Sequence, residues 1–170
     1  MQDNYGIDKY VRSIPDFPEP GIIFRDVTSI IQSSEGLKIT IDGLLERLQG
    51  VDFDVVLGPE SRGFIFGMPV AYAMGKGFVP VRKKGKLPCE TIEKEYELEY
   101  GTAVIEMHKD AIRPGERVVI VDDLIATGGT IEAITEMVES LGGEVVRIQF
   151  VMELAGLNGR DKLSKYDVDS

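Results

Sequence analysis

The sequence contains few of the side chains on which several common protein chemistries depend. Its 170 residues include no tryptophan, one cysteine and one histidine. A single cysteine excludes a disulfide within the chain, which fits a reducing cytoplasm. Cys89 and His108 are too few for a zinc site or for a Cys-His nucleophilic pair. Any bound metal is therefore expected to be a hard cation held by carboxylate oxygens.

Positive charge and long apolar runs are also scarce. The formal net charge is −10, which argues against a protein that coats nucleic acid or binds a membrane surface. No apolar stretch is long enough to span a membrane, and the charged N-terminus does not look like a signal peptide. We therefore expect a cytoplasmic protein with no nucleic acid and no membrane among its partners, although a local basic cluster can still bind a small anion.

Short apolar runs alternate with helical patterns from residue 53 onwards. Four of these runs are predicted strands, at residues 53–57, 78–81, 117–121 and 144–152. Helices are predicted to follow the first run up to about Met74 and the third up to Leu141. This order predicts an α/β fold, with a parallel sheet flanked by helices on both faces, in a single domain over residues 1–170.

The segments outside this alternation differ in character. Apolar spacing predicts a short helix over residues 6–14 and a second helix, capped by Ser34, over residues 35–49. The charged segment 83–101 is long for a connection and is expected to be a flexible loop of functional importance, since such connections are often lids. The alternating apolar side chains near its end leave open a hairpin for part of it.

The most informative segment joins a predicted strand to a predicted helix. The strand delivers Asp122 and Asp123 to the carboxyl end of the sheet, where ligands bind in open parallel sheets. The small and hydroxylic residues 126–130 then open a helix, whose free N–H groups can bind an anion. Taken alone, the segment also fits an ordinary turn with solvated aspartates. It is not a Walker loop, because no Gly-Lys-Ser/Thr follows.

The whole string 118–130 resembles the phosphoribosyl-pyrophosphate (PRPP) signature of type I phosphoribosyltransferases. The resemblance implies a phosphoribosyltransferase fold and Mg²⁺ as cofactor. It implies that Asp122 and Asp123 face the ribose 2′- and 3′-hydroxyls, directly or through water and Mg²⁺. The residues implied to hold the 5′-phosphate are Ala126, Thr127, Gly128, Gly129 and Thr130.

Two further segments resemble the pyrophosphate-binding parts of the same family. In the segment 58–64, Ser61 and Arg62 offer a second anion site, although alone they fit a plain turn with an exposed arginine. In the family the peptide preceding the position of Ser61 is often cis, and Arg62 is implied to offset charge that develops on pyrophosphate. The basic residues implied to reach pyrophosphate, in some relatives across a homodimer interface, are Arg82, Lys83 and Lys86.

The Pro-rich segment 15–26 resembles the adenine-recognising hood of adenine phosphoribosyltransferases, and we assign residues 1–34 to this hood. Phe24 can stack on a purine, and backbone groups of Ile23 and Arg25 can pair with the adenine edge. The alternative is a Pro-rich tether with Phe24 in the core. The hood implies transfer of the phosphoribosyl group from PRPP to adenine N9, giving AMP and pyrophosphate.

The segment 96–101 resembles the end of the family's mobile loop. It implies that Glu99 is a proton-transfer group near the base and that Tyr100 covers the reaction centre; the alternative is a hairpin edge with solvated glutamates. Two other functions stay open: a phosphoribosyltransferase for another base, such as xanthine or a pyrimidine, and a non-catalytic regulator that senses PRPP. Such regulators usually carry a DNA-binding domain, which neither the length nor the charge favours.

Overall fold

A computed structural model describes residues 5–17, 19–97 and 101–170 of the chain. The chain divides into two compact units, Met1–Gln49 and Gly50–Ser170. The single domain expected over residues 1–170 therefore stays a prediction. Within the described ranges, no helix has the length and apolar character needed to cross a membrane.

The first unit contains a strand hairpin followed by two helices. Strand β1 (Arg12–Pro15) pairs antiparallel with strand β2 (Ile23–Asp26). Helices α1 (Thr28–Gln32) and α2 (Ser34–Glu46) follow the hairpin.

The helix predicted over residues 6–14 is wrong. Only Asp8–Tyr10 turns, as a 3₁₀ helix, before the chain enters β1. Ile14 precedes a proline, which disfavours helical backbone at that position, and it pairs with Phe24 across the hairpin instead. Strand pairing therefore overrides the helical spacing of the apolar side chains.

The second predicted helix is confirmed with shifted ends. It begins one residue earlier than expected, and Ser33 rather than Ser34 caps it. The Ser33 side chain accepts a hydrogen bond from the backbone N–H of Gly36 at 3.2 Å, which satisfies one of the free N–H groups of the first turn.

The described residues of the second unit form a seven-stranded sheet with two α-helices. The strands are β3 (Val55–Pro59), β4 (Gly77–Lys83), β5 (Thr91–Glu97), β6 (Thr102–His108), β7 (Arg117–Ile125), β8 (Glu144–Glu153) and β9 (Val168–Asp169). The helices are α3 (Arg62–Ala73) and α4 (Gly129–Ser140), with 3₁₀ turns at Ala155–Leu157 and Gly159–Leu163. Across the sheet the strand order is β5-β6-β4-β3-β7-β8-β9.

The predicted α/β fold is confirmed, with one correction. Strands β3, β4, β7, β8 and β9 run parallel, but β5 and β6 add an antiparallel hairpin beside β4. The sheet is therefore mixed rather than parallel throughout. Its two crossovers, β3-α3-β4 and β7-α4-β8, proceed in opposite directions along the sheet, so right-handed connections place α3 and α4 on opposite faces.

Alternation along the central strands accounts for the two faces. Val118 and Ile120 of β7 belong to the same apolar cluster as Ile131 and Ile134 of α4. Successive side chains of a strand point to opposite faces, so Val119, which is also fully buried, points to the face on which α3 packs. Both faces of the central strands are therefore covered, as their continuous apolar sequences predict.

The strand pairing brings the two predicted anion-binding turns together. Because β3 and β7 are adjacent and parallel, the turns that follow them lie side by side at the carboxyl ends of the strands. Strand β7 runs four residues beyond the predicted end at Val121 and continues its pairing with β8 to Ile125. Asp122 and Asp123 therefore lie within the last part of the strand and not after it.

The expected loop over residues 83–101 contains regular structure. Its residues Thr91–Glu97 form β5 and pair antiparallel with β6. The alternative that part of this segment forms a hairpin is therefore confirmed for these residues. Residues 98–100 lie outside the described ranges, and the flexibility expected for the loop stays a prediction.

Candidate active site

The phosphate loop, Ala126–Thr130, connects β7 to α4. Gly128 has φ of +81°, a conformation that suits glycine, and its carbonyl oxygen accepts a hydrogen bond from Glu132 N at 2.9 Å. The first N–H groups of a helix have no partner within it. The phosphate loop lines an open cavity of about 100 Å³, and the other lining residues are Asp122, Leu124, Ile125 and Ile131. This position suits binding of an anion by the free amides of the helix start.

Two carboxylates lie at the end of β7: Asp122, which lines this cavity, and Asp123, which follows it in the strand. The Asp123 side chain is only 5% exposed, and its backbone N–H donates to Asp122 Oδ1 at 2.8 Å. Burial, and after it the negative charge of Asp123, raises the pKa of Asp122 well above its usual range. A cation or a hydroxyl donor would therefore stabilise this pair.

Arg62, at the start of α3, links the turn after β3 to the end of β7. Its Nε lies 2.6 Å from Asp123 Oδ2, an ion pair across the edge of the sheet. The N–H is not aimed at this oxygen, which is buried and accepts no hydrogen bond from the described part of the chain. The Arg62 side chain is 45% exposed, so its remaining N–H groups can reach a ligand.

The turn between β3 and α3 has the geometry that the family resemblance implied. The peptide bond between Glu60 and Ser61 is cis. The Ser61 side chain makes no capping hydrogen bond to α3 and is exposed. A Cβ added to Gly63 would lie 2.6 Å from Pro59 Cδ and 3.0 Å from Asp122 Oδ1, so this turn packs directly against one of the two carboxylates.

Glu60 holds the basic turn, residues 82–86, beside this cis peptide. Its Oε2 accepts hydrogen bonds from Arg82 Nε at 3.2 Å and from Lys83 N at 3.1 Å, while Lys86 Nζ donates to Oε1. The hydrogen bond from Lys86 lowers the pKa of Glu60 below its usual range, although burial opposes this effect. Two cationic side chains of this turn, Arg82 and Lys86, are therefore already arranged around one carboxylate.

A second buried carboxylate fixes the backbone of the basic turn. Glu106 of β6 is 3% exposed and accepts hydrogen bonds from the backbone N–H groups of Lys86 at 2.7 Å and Leu87 at 2.6 Å. Burial alone would raise the pKa of Glu106, but these amides and that of Gly85 lower it. The sequence did not predict a role for Glu60 or for Glu106. For Glu60, its place inside the predicted pyrophosphate motif was the one available signal.

The predicted hood residues lie in the first unit, on and around β2. Phe24 forms an edge-to-face contact with Phe17, with ring centroids 5.3 Å apart, and the Ile23 side chain is 64% exposed. Arg25 donates to Ser13 Oγ at 2.6 Å. Strand β2 pairs only with β1 among the described residues, which leaves its other edge without a strand partner.

The structure thus groups the predicted site residues that it describes in two sets. The phosphate loop, the two aspartates, Ser61 and Arg62 come together at one sheet edge of the second unit, where Glu60 also gathers Arg82, Lys83 and Lys86. The hood residues Ile23, Phe24 and Arg25 share one strand of the first unit. Glu99 and Tyr100 lie outside the described residues.

Comparison with known proteins identifies relatives along nearly the whole chain. The phosphoribosyl transferase domain family matches residues 27–170. A curated adenine phosphoribosyltransferase from Lachnoclostridium phytofermentans is 70% identical over 164 residues, which cover 96% of this chain and 94% of the relative. The resemblance stated from the sequence is therefore confirmed.

Solved structures lead to the same family. The adenine phosphoribosyltransferase from Thermoanaerobacter pseudethanolicus is 55% identical and superposes with a TM-score of 0.91, covering 95% of this chain and 94% of that one. The Saccharomyces cerevisiae enzyme, solved with adenine and D-2,5-dideoxy-2,5-imino-altritol 1,6-bisphosphate, is 44% identical and has a TM-score of 0.88, with 95% and 94% of the two chains covered.

Proposed function

Because the chain belongs to the phosphoribosyl transferase family, we propose that it is an enzyme of purine salvage that transfers the 5-phosphoribosyl group of PRPP to adenine N9. The products are AMP and pyrophosphate, which makes the enzyme a pentosyltransferase. The observation that carries the proposal is the pair of adjacent anion-binding turns at one sheet edge, joined by the Arg62–Asp123 ion pair.

The two turns divide the phosphates of PRPP between them. The phosphate loop binds the 5′-phosphate through the first N–H groups of α4 and the Thr127 and Thr130 hydroxyls. Asp122 and Asp123 accept hydrogen bonds from the ribose 2′- and 3′-hydroxyls. Ser61 and Arg62 bind the pyrophosphate, and Arg82, Lys83 and Lys86 add positive charge to the same group.

The carboxylate pair fits Mg²⁺ as a cofactor held largely by substrate and water. Asp123 has a buried oxygen that accepts no hydrogen bond from the described chain, and burial, followed by the charge of Asp123, raises the pKa of Asp122, so a nearby cation would favour its charged form. No group of three or more His, Cys, Asp or Glu that could hold a metal occurs in the described ranges. Mg²⁺ would supply positive charge to the leaving pyrophosphate, with most of its ligands from PRPP and water.

The reaction is a displacement at the anomeric carbon of the ribose. Adenine N9 attacks while the bond to pyrophosphate breaks, through a transition state with oxocarbenium character. The protein positions the two reactants, and Arg62 stabilises the charge that develops on the leaving group. We assign Glu99 to proton transfer at the base and Tyr100 to covering the reaction centre, within a loop over residues 83–101 that closes to exclude water.

We assign adenine recognition to the hood, residues 1–34. Phe24 stacks on the purine, and backbone groups of Ile23 and Arg25 pair with its edge. A backbone carbonyl there accepts the 6-amino group of adenine and repels the 6-oxo group of hypoxanthine or guanine. A mismatch of this kind in a buried site can discriminate by a factor of roughly 10⁴.

A homodimer is supported by the outward face of α3. Ile65, Met68 and Tyr72 are 37%, 50% and 87% exposed and recur at helical spacing, so they form one apolar stripe. Stripes of this kind commonly mark interfaces. We also place the enzyme in the cytoplasm, a reducing compartment that suits the free, exposed thiol of Cys89.

The decisive assay supplies purified protein with PRPP, Mg²⁺ and one base at a time, and measures pyrophosphate release. Adenine should be the preferred substrate over hypoxanthine, guanine, xanthine and pyrimidines. Equal turnover of a 6-oxopurine would contradict the assignment of the base. Binding of PRPP without turnover of any base would favour the non-catalytic regulator.

A substitution in the hood tests where this preference originates. Phe24→Ala should weaken adenine binding by about 1–3 kcal/mol, the range for loss of base–aromatic stacking, with little change in the KM for PRPP. Ile22→Ala is the matched control, because Ile22 is a neighbouring apolar residue that is 45% exposed. If both variants bind adenine as the unaltered protein does, the hood is not the adenine site.

A further inference from the structure

The C-terminal 3₁₀ turn packs directly against the phosphate loop. A Cβ added to Gly159 would lie 2.3 Å from the carbonyl oxygen of Ala126, and one added to Gly128 would lie 2.4 Å from the carbonyl oxygen of Gly159. At these distances neither residue has room for a side chain. The two glycines therefore allow backbone to contact backbone, and the path of each segment depends on the other.

The segment that makes this contact, Asn158–Leu163, is itself firmly anchored, and we name it the C-terminal clamp. Arg160 donates to Glu153 Oε2 at 2.7 Å and to the carbonyl oxygen of Val168 at 2.6 Å. The Leu163 side chain is fully buried in the main apolar cluster. The phosphate loop thus packs against a segment that hydrogen bonds and a buried side chain hold in place.

The clamp also carries a cation to the start of α4. A Cβ added to Gly129 would lie 3.6 Å from Lys162 Nζ. The N-terminal end of a helix carries partial positive charge, which disfavours a cation there. Glu132 Oε2, 3.6 Å from the Lys162 ammonium, offsets this in part, and a phosphate bound by the same helix end would offset it far more strongly.

We propose that the C-terminal clamp is part of the PRPP site. Gly159 is a positioning residue that fixes the backbone of the phosphate loop, and Lys162 is a binding residue that adds positive charge for the 5′-phosphate. The proposal rests on the function proposed above, because it concerns the same phosphate. It involves no covalent step, so its effects appear in binding.

The first test compares Gly159→Ala with Gly156→Ala. Gly156 lies in the adjoining 3₁₀ turn, where an added Cβ meets no atom within 4 Å, so this control should behave as the unaltered protein. Gly159→Ala should weaken calorimetric binding of ribose 5-phosphate by roughly tenfold or more, because the displaced loop loses contacts and gains strain. The KM for PRPP should rise, while the KM for adenine changes little. A lower Tm with unchanged ribose 5-phosphate binding would overturn the positioning role.

The second test removes charge without altering the backbone, and it stands even if Gly159→Ala fails to fold. Lys162→Met should weaken binding of ribose 5-phosphate about five- to tenfold at low salt, whereas Lys162→Arg retains most of it. Lys165→Met is the matched control, since it removes the same charge from a side chain that pairs with Glu139 at 3.2 Å. Because salt screens such interactions, the difference between Lys162→Met and the unaltered protein should shrink at high ionic strength.

The outcomes separate this proposal from the proposed function. If Lys162→Met binds ribose 5-phosphate as well as the unaltered protein does, or if Lys165→Met loses as much, the role of Lys162 is wrong even when the enzyme turns over adenine. If the unaltered protein releases no pyrophosphate with any base, but its ribose 5-phosphate binding still depends on Gly159 and Lys162, the clamp proposal stands and the proposed function fails.

Discussion

The two turns to which we assign anion binding share a strand–turn–helix plan but balance charge in opposite ways. At the end of β7, a partly exposed Asp122 is followed by a buried Asp123, and the ion pair found there among the described residues is the one between Arg62 and Asp123. Beside the other turn, the single carboxylate of Glu60 accepts hydrogen bonds from two cationic side chains and one backbone amide. Burial, and after it the charge of Asp123, raises the pKa of Asp122, whereas the hydrogen bond from Lys86 lowers the pKa of Glu60.

The difference indicates what each turn would require of the ligand proposed for it. Positive charge or hydroxyl donors would stabilise the carboxylates of β7, and under the proposed function ribose and a hydrated cation would supply them. The cations around Glu60 already have a partner, so under the proposed function pyrophosphate would share Arg82 and Lys86 with this carboxylate or displace it. Ligand binding would then stabilise the first turn, whereas hydrogen bonds within the protein already hold the second.

The largest expected effect comes from altering the backbone of the phosphate loop. Gly128→Ala should lower the free energy of unfolding by about 2–4 kcal/mol, because it combines positive-φ strain with a steric clash. Gly115→Ala is the matched control: Gly115 has the same φ of +81° and no atom within 4 Å of an added Cβ. Its cost should be about 1 kcal/mol. Equal losses in urea unfolding would show that contact with the C-terminal clamp adds nothing.

Asp122→Asn should separate stability from function. A carboxyl whose pKa is raised by folding stabilises the folded state below its unfolded pKa and loses that contribution as the pH rises through the folded pKa. In metal-free buffer the variant should therefore be more stable than the unaltered protein at pH 7, with an advantage that shrinks towards pH 4. Its kcat/KM for PRPP should fall roughly tenfold or more, since a charged hydrogen-bond acceptor is lost. Thermal unfolding of both proteins across this pH range shows which of them is more stable at each pH.

Glu60→Gln should have the opposite pH dependence. A carboxyl with a lowered folded pKa contributes stability above its unfolded pKa of 4.5 and loses it as the pH falls through the folded value. The variant should lose about 1–2 kcal/mol at neutral pH and approach the unaltered protein in acid. Glu93→Gln is a suitable control, because Glu93 is 41% exposed and pairs with Lys84. A pH-independent loss would contradict the charge argument.

The smallest effect is expected at Lys84, which lies in the basic turn but outside the group held by Glu60. Its side chain is 60% exposed and pairs with Glu93 at 2.7 Å. Lys84→Met should leave the free energy of unfolding nearly unchanged, because exposed ion pairs add little stability, and it should leave the KM for PRPP within about twofold, whereas Lys86→Met should raise this KM clearly more. Equal kinetic effects would mean that Glu60 does not select among these cations.

Much of the fold could be predicted because its signals are local. The central strands, the turns that follow them and the start of each helix all lie in short stretches of sequence, and a parallel sheet places such turns at one edge. Strand β6 escaped prediction because Glu106 interrupts its apolar run, and only the folded structure supplies the backbone donors that make this buried carboxylate acceptable.

The parts of the candidate site that lie in one short stretch of sequence were predictable, again because their signals are local. The phosphate loop and the aspartates form one continuous motif, which sequence alone brings to attention. The contact between Gly128 and Gly159 and the gathering of Arg82 and Lys86 by Glu60 join residues that are distant in the chain. No local pattern encodes such contacts, since they depend on how the sheet is assembled.

Strand β5 forms one edge of the seven-stranded sheet. An edge strand exposes backbone donors and acceptors that can recruit a strand from another molecule, a common route to aggregation. Glutamates alternate along β5 and Lys94 lies among them, and charged side chains of this kind oppose such recruitment. The charged run that made this segment resemble a loop in the sequence is therefore also the kind of edge that disfavours strand-to-strand association between copies of the protein.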